Sequence, residues 1–158
     1  MENAYYVNLE GITIGQTEVP IPEGAFHLKP QGDGGVIVDS GTILTVLASD
    51  GFDPLLKTMS ELVQKPVSKI GGFEMCFKDL ESAPDMILHF SAGVDMRLTK
   101  ANTFIKLDNG LSCLAILRSN VPMSVIGNYQ MRNYWVGYDL EDQGISFIPA
   151  DCAWTSLP

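Results

Sequence analysis

Apolar residues occur in short alternating or continuous runs along most of the chain, a pattern typical of β-strands. Gly11 and Gly15 mark a bend or bulge and then a turn in the first of these runs, which we divide into two strands. The predicted strand segments are Tyr5–Gly15, Val36–Val38, Met86–Phe90, Val94–Leu98, Thr103–Leu107, Leu111–Leu117, Met123–Gly127, Tyr134–Asp139 and Gly144–Ile148. We therefore expect a mainly β fold.

The apolar period changes between Phe52 and Val63, where such residues recur three and four positions apart, as on one face of an α-helix. Asp53 is the candidate N-cap, Pro54 would take the first helical position, and Pro66 is expected to end the helix. The sequence thus predicts one clear helix, and no repeat or low-complexity linker interrupts the pattern.

Turn-forming residues separate these elements. Residues Pro20–Gly35 are rich in proline and glycine and predict a long loop, and Asn128–Asn133 predicts a brief helical turn. Asn109 and Gly110 predict a tight hairpin in which both central residues have positive φ. Four aromatic residues near the end of the chain are expected to pack in the core: Tyr129, Tyr134, Trp135 and Tyr138.

Composition narrows the class of protein. The chain has 158 residues, of which 46% are hydrophobic and 18% charged, so it can bury one core as a single domain. Its net charge of -9 disfavours nucleic acids and anionic membranes as partners. No apolar run reaches the roughly 20 residues of a membrane helix, and the opening residues contain no signal-peptide pattern, so we expect a soluble chain.

The cysteine and histidine spacing makes a zinc site improbable. Cys76, Cys113 and Cys152 form no CxxC pair, and His27 and His89 lie far from HExxH spacing. Because three is an odd number, one disulfide within the chain would leave one cysteine whose partner lies outside this sequence.

The strongest candidate for chemistry is Asp39, in the tripeptide Asp39-Ser40-Gly41 directly after the buried run Val36–Val38. Asp-Ser-Gly is also an ordinary turn. Here, however, the hydroxyls of Ser40, Thr42 and Thr45 flank a carboxylate at the end of a buried strand. Such donors can hold the ionised form of Asp39 and tune its pKa.

A second element, Val125-Ile126-Gly127, has two large apolar residues followed by glycine. With the first, it makes the chain resemble the C-terminal lobe of a pepsin-like aspartic protease of the plant nepenthesin type, a lobe shared with xylanase-inhibitor proteins. The matching stretches are Tyr5–Gly15, Pro20–Pro22 with Ala25–Phe26, Gly34–Thr45, Phe73–Phe77, Pro84–Phe90, Leu111–Ala115, Ser124–Gln130, Tyr138–Asp139 and Phe147–Cys152.

The resemblance implies that Asp39 is the second of two catalytic aspartates in an acid-pH endopeptidase. Ser40 would bond across to the matching loop of the opposite lobe, and Thr42 would hydrogen-bond the Asp39 carboxylate. Gly41 completes the motif, and Val125, Ile126 and Gly127 form the fold signature. In such enzymes two carboxylates share one proton and activate a water, with no metal or organic cofactor.

The resemblance also implies that residues 1–158 are one lobe, with the other aspartate supplied by an N-terminal lobe absent from this chain. The expected partners are that lobe and a peptide or protein substrate. The family's disulfide within the lobe matches Cys76 and Cys113, and its inter-lobe disulfide matches Cys152. Such proteases are secreted to the apoplast or vacuolar, although this chain begins without a signal peptide.

Ile43 departs from the family pattern, which has Thr or Ser at this position. One hydroxyl near the dyad is therefore lost. Two alternatives to the protease lobe stay open. The chain could be a non-catalytic, inhibitor-like or pseudoprotease binding module, or a self-paired lobe in which two copies bring two Asp39 residues together.

Overall fold

In a computed structural model, which describes residues 4–63, 66 and 69–153, the chain is mainly β, as predicted. The strands are β1 (Tyr5–Val7), β2 (Leu9–Ile14), β3 (Thr17–Glu18), β4 (Val36–Val38), β5 (Thr45–Leu47), β6 (Cys76–Phe77), β7 (Met86–Phe90), β8 (Val94–Leu98), β9 (Phe104–Lys106), β10 (Ser112–Leu114), β11 (Ile116–Arg118), β12 (Ser124–Ile126), β13 (Tyr134–Asp139) and β14 (Gly144–Pro149). The helices are α1 (Ser49–Leu62) and α2 (Lys100–Thr103), and Ser91–Gly93 forms a short 3-10 turn. No helix in the described part of the chain is long and apolar enough to cross a membrane.

A five-stranded sheet in the order β1-β4-β12-β5-β11 forms the centre of the lobe. Strand β4 runs parallel to β12, with Val36 opposite Ser124 and Val38 opposite Ile126, and β5 runs parallel to β11. All three residues of β4 are buried, which explains why this strand is a continuous apolar run rather than an alternating one. The strand ends at Val38, and Asp39 is the next residue.

A four-stranded sheet in the order β3-β2-β7-β8 covers another side of the core. Met86, Leu88 and Phe90 of β7 are buried, and the residues between them are half-buried, as the period of two requires. The pairing of β2 with β7 shifts register between Leu9 and Gly11, so the bulge predicted at this glycine is confirmed.

The predicted N-terminus of α1 was wrong. The helix begins at Ser49 with Ala48 as its N-cap, so Pro54 lies inside the helix and Asp53 caps nothing. The Ala48 carbonyl already accepts the N–H groups of Gly51 (3.0 Å) and Phe52 (2.9 Å), which starts the helix earlier. Asp53 instead forms an exposed ion pair with Arg118 of β11. The helix ends at Leu62, before Pro66.

The segment predicted as one strand, Leu111–Leu117, is two strands in different sheets, β10 and β11, separated by Ala115. The hairpin before it is confirmed, since β9 and β10 pair antiparallel, but the predicted turn type was wrong. Gly110 has φ 82° while Asn109 does not have positive φ. The Gly110 N–H donates to the Leu107 carbonyl (3.0 Å), so a three-residue loop ends in the left-handed glycine.

The predicted disulfide between Cys76 and Cys113 is confirmed, with an S–S distance of 2.01 Å. It joins β6 to β10, where the two cysteines lie opposite each other. A cross-link that closes a 37-residue separation stabilises a fold by about 4 kcal/mol according to the chain-entropy estimate.

The short elements β3, β5, β6 and α2 were not predicted.

The last two strands, β13 and β14, form a two-stranded hairpin along six residue pairs. Residues 128–133, where a brief helical turn was predicted, form turns in which the Met131 N–H donates to the Asn128 carbonyl (3.0 Å). Core packing was the wrong prediction for two of its aromatic residues, because Trp135 is 56% exposed and Tyr138 is 36% exposed. The hairpin packs on the core through the face opposite Trp135, where Phe147 stacks on Phe90 with ring centroids 5.3 Å apart.

Candidate functional site

Asp39 lies at the first position after β4, and both of its carboxylate oxygens accept hydrogen bonds from its own loop. The Gly41 N–H donates to Oδ1 (2.9 Å), and the Thr42 hydroxyl donates to Oδ2 (2.6 Å). The Asp39 N–H donates to the Ile126 carbonyl of β12 (3.0 Å), which fixes the start of the loop. The Thr42 and then the Gly41 hydrogen bonds lower the pKa of Asp39 below its ordinary value, against a small opposing effect of burial.

The rest of the Asp39 loop, residues 39–44, is fastened to the turn that follows β12. The Asn128 N–H donates to the Thr42 carbonyl (2.8 Å), and the Tyr129 N–H donates to the Ile43 carbonyl (2.9 Å). The Asn128 side-chain amide donates to the Ser40 carbonyl (3.0 Å), so the backbone of Ser40 is held while the residue stays exposed. A segment distant in sequence therefore holds the loop in one shape.

Gly127 makes this close approach possible. A Cβ atom on Gly127 would lie 2.7 Å from the carbonyl carbon of Leu44 and 2.9 Å from the carbonyl oxygens of Ile43 and Thr42. All three contacts are to backbone, which cannot rotate away. The Gly127 N–H donates to the Thr45 hydroxyl oxygen (3.0 Å). The structure thus brings the two sequence elements, Asp39-Ser40-Gly41-Thr42 and Val125-Ile126-Gly127, into direct contact.

An open cavity of about 570 Å³ lies beside Asp39. Its lining residues are Ala4, Tyr5, Ile37, Val38, Asp39, Ser40, Tyr138 and Leu140. The rings of Tyr5 and Tyr138 have centroids 4.7 Å apart. The pKa of Tyr138 is raised, first by burial and then by the negative charges of Asp39 and Tyr5 when these are ionised. The carboxylate therefore borders a surface that is largely apolar and aromatic.

Sequence reasoning did not identify Tyr5, Tyr138 and Leu140 as neighbours of Asp39. Tyr5 reaches the site because β1 pairs antiparallel with β4 and places Tyr5 opposite Val38. Tyr138 comes from β13, almost a hundred positions after Asp39 in the sequence. The tyrosines lie in correctly predicted strands, but the apolar pattern of a strand does not specify which strand it pairs with.

Asp39 is the one carboxylate among the residues that line this cavity. Two other aspartates have arginine partners elsewhere: Asp53 pairs with Arg118, and Asp85 with Arg97 at 2.9 Å. Cys152 is exposed, lies outside the Cys76–Cys113 disulfide, and borders a different cavity of about 510 Å³.

The arrangement can hold an ionised carboxylate rigidly at the edge of an open surface. Such a group can accept a proton from a water, as a general base does. Hydrolysis by two carboxylates that share one proton requires a second carboxylate within a few ångströms. Among the residues that line this cavity, Asp39 supplies one carboxylate.

Comparison with known proteins identifies the family. The family model described as Xylanase inhibitor C-terminal matches residues 4–149. The chain belongs to this family. Among its relatives, aspartic proteinase nepenthesin-1 of Nepenthes gracilis is 36% identical over 156 residues, which cover 94% of this chain and 36% of the relative. Aspartyl protease family protein 2 of Arabidopsis thaliana is 35% identical, covering 97% of this chain and 33% of the relative.

Solved structures in the same comparison share the fold. The crystal structure of edgp superposes with a TM-score of 0.84 at 19% identity, covering 93% of this chain and 40% of that one. Basic 7S globulin from soybean gives a TM-score of 0.79 at 18% identity, covering 97% and 43%. The resemblance to a nepenthesin-type lobe and the mainly β fold class are therefore confirmed. The chain spans about a third of the length of the two aspartic protease relatives.

Proposed function

We propose that this chain is the C-terminal lobe of an acid-pH aspartic endopeptidase and supplies Asp39 as one of two catalytic carboxylates. The observation that carries the proposal is the geometry of Asp39, whose two oxygens accept hydrogen bonds from Gly41 and Thr42 at the edge of an open cavity. Two relatives named as aspartic proteinases, nepenthesin-1 and nepenthesin-2, support the same proposal. Asp39-Ser40-Gly41-Thr42 stands intact in this sequence.

In this proposal Asp39 and a carboxylate of the partner lobe share one proton, because two like charges a few ångströms apart do not both ionise. The ionised member takes a proton from a water held between them, and the water oxygen attacks the peptide carbonyl. The protonated member gives its proton to the carbonyl oxygen. The Thr42 hydroxyl and the Gly41 N–H hold Asp39 in place throughout this exchange.

The proposed partner is an N-terminal lobe that covers the cavity beside Asp39. The exposed aromatic and apolar side chains there support such a contact, since Tyr5 is 37%, Tyr138 36% and Leu140 73% exposed. Ser40 would bond to the partner's matching loop, and Cys152 would form a disulfide with that lobe. The Cys76–Cys113 disulfide suits an oxidising compartment, so we propose a secreted or vacuolar location.

The test is proteolysis of a denatured protein at acid pH by the chain alone and by the chain co-refolded with a nepenthesin-type N-terminal lobe. We expect activity in the joined form, loss of that activity in Asp39→Asn, and retention in Asp85→Asn. The second variant is a matched control, because Asp85 carries the same group but pairs with Arg97 on the four-stranded sheet. Equal loss in both variants would contradict the proposal.

The other outcomes separate the alternatives. Activity of the chain alone that falls on dilution and disappears in Asp39→Asn would support the self-paired lobe. Absence of activity both from the folded chain alone and from a folded joined form would overturn both protease proposals and favour a non-catalytic, inhibitor-like or pseudoprotease binding module. That module would be tested by binding of the folded chain to a peptide or a xylanase, measured by calorimetry.

A further inference from the structure

A completely buried glutamine lies behind the Asp39 loop. Gln130 is 0% exposed, and its side-chain amide has partners for its oxygen and for both of its N–H groups. Its Oε1 accepts a hydrogen bond from the Thr45 N–H (3.0 Å), and its Nε2 donates to the carbonyls of Asn102 (2.9 Å) and Ala115 (3.0 Å). Because an unpaired amide is costly to bury, these bonds hold the side chain in one orientation.

Thr45 connects this amide to the Asp39 loop. It is the first residue after the loop, and its N–H bonds to Gln130, while the N–H of Asp39 at the other end bonds to the Ile126 carbonyl. Both ends of the loop are therefore fixed to the stretch 126–130. Because a buried backbone N–H must be paired, the bond to Gln130 Oε1 satisfies the Thr45 N–H in this structure.

A second buried amide holds Gln130 in return. Asn102 is 4% exposed, and its Nδ2 donates to the carbonyls of Gln130 (3.2 Å) and Arg132 (2.8 Å). The Thr99 hydroxyl donates to Asn102 Oδ1 (2.9 Å). Gln130 and Asn102 thus bond reciprocally, each donating from its side chain to the other's backbone. This arrangement makes the position of the Thr45 N–H part of a fixed network.

We propose that Gln130 is a positioning residue for Asp39, acting through Thr45 to keep the carboxylate within reach of the Thr42 hydroxyl and the Gly41 N–H. The effect of Gln130 on catalysis rests on the function proposed above. The effect of Gln130 on the Asp39 carboxylate belongs to this chain alone and can be measured without a partner lobe.

The first experiment follows the carboxyl carbon of Asp39 by NMR through an acid titration of the 158-residue chain and two variants. In Gln130→Met the side chain keeps its length but loses the three hydrogen bonds, and we expect the pKa of Asp39 to move up toward its ordinary value. In Gln130→Glu, burial favours the protonated carboxyl, which would accept from the Thr45 N–H and donate to one carbonyl. This variant is therefore expected to shift the Asp39 pKa less than Gln130→Met.

The control is Leu55→Ala in α1, which removes a fully buried apolar side chain that has no hydrogen-bonding group. It lowers stability as a core deletion does, and the Asp39 titration should stay at the wild-type position. Tyr5 and Tyr138 remain beside Asp39 in every variant, so their effect is common to all. An unshifted Asp39 in folded Gln130 variants, or an equal shift in Leu55→Ala, would overturn the proposal. If Gln130→Met does not fold, the Asp39 titration of Gln130→Glu is compared with that of Leu55→Ala, and the same two outcomes support or overturn the proposal.

The second experiment measures peptide hydrolysis by the joined lobes. Misplacing a catalytic group by about 1 Å can cost on the order of 100-fold in rate, so Gln130→Met should lower kcat by a factor of that order with little change in KM. Leu55→Ala should keep both constants at a temperature where it is folded. If the wild-type joined form cleaves nothing, the proposed function fails, while the Asp39 titration still decides the positioning role.

Discussion

The Asp39 loop and the β13–β14 hairpin are stabilised in opposite ways. The loop is held by partners far away in the sequence, with separations of 82 residues for Gly127 and Thr45 and 85 for Thr45 and Gln130. The hairpin is held by six neighbouring residue pairs of its own ladder. The shape of the loop therefore depends on distant segments of the chain, whereas the backbone pairing of the hairpin is local and one of its faces packs on the core.

Burial follows the same division. The strand before the loop is buried at all three positions, whereas Trp135 and Ile148, which lie opposite each other in the hairpin, are 56% and 57% exposed. A rigid, buried support fixes the geometry of a carboxylate, and an exposed apolar face supplies a surface for contact. We therefore expect substitutions in the loop to change the geometry of the Asp39 carboxylate and substitutions on the exposed face of the hairpin to change contact area, so that the two roles can be separated.

The largest expected difference is between two glycines. Gly127→Ala should destabilise the chain by about 3 kcal/mol, because the new Cβ would meet backbone atoms at 2.7 and 2.9 Å. Gly137→Ala in β13 would meet the Ser146 Oγ at 2.5 Å, but that oxygen belongs to a small side chain that can rotate. We expect a change of at most about 1 kcal/mol there. Urea unfolding followed by circular dichroism measures the free energy of unfolding of both variants. An equal loss of stability in the two would contradict the contrast between the loop and the hairpin.

The sequence predicted the strand before the loop and the candidate aspartate because both signals are local. Val36–Val38 is a continuous apolar run, and Asp39 follows it directly. The amide of Gln130 has no such signal, since its partners lie in three different segments. Whether a glutamine is buried is decided by the packing of the whole lobe, which one sequence does not specify.

The exposed face of the hairpin was missed for a related reason. The first four residues of β13, Tyr134 to Gly137, alternate between half-buried and exposed, which identifies a strand but not which face is covered. The N-cap of α1 was misplaced because Asp53-Pro54 is a strong local start signal, and the Ala48 carbonyl begins the helix before it. Local patterns thus predicted most elements, while long-range pairing decided the site.

A substitution at Thr42 is expected to have an intermediate effect, on the pKa of Asp39 and on the pH dependence of stability. The Thr42 hydroxyl makes the main contribution to the lowered pKa of Asp39. Thr42→Val keeps the shape, removes the donor, and should move the Asp39 pKa up toward its ordinary value. In the wild type, a lowered folded pKa adds stability that is present above the unfolded pKa and is lost as pH falls through the folded pKa. The variant should therefore lose less stability between neutral and strongly acid pH.

Urea unfolding at neutral and acid pH, together with the Asp39 carboxyl titration, measures this change in Thr42→Val. Ser146→Ala in β14 is the matched hydroxyl deletion in the exposed hairpin, and its pH dependence should equal that of the wild type. A Thr42→Val chain whose Asp39 titrates as before would mean that the 2.6 Å hydrogen bond does not set the pKa.

The smallest effect is expected at Ile148, which is 57% exposed on the outer face of β14. Ile148→Thr keeps a β-branched residue in the strand and should change the free energy of unfolding by at most about 0.5 kcal/mol. Phe147→Thr, one position earlier, removes the ring that stacks on Phe90 and should cost about 2 kcal/mol. If the two variants of the isolated chain were equally destabilised in urea, the outer face would be part of the core rather than a contact surface. Weaker pairing with an N-terminal lobe in Ile148→Thr alone would assign that face to the partner.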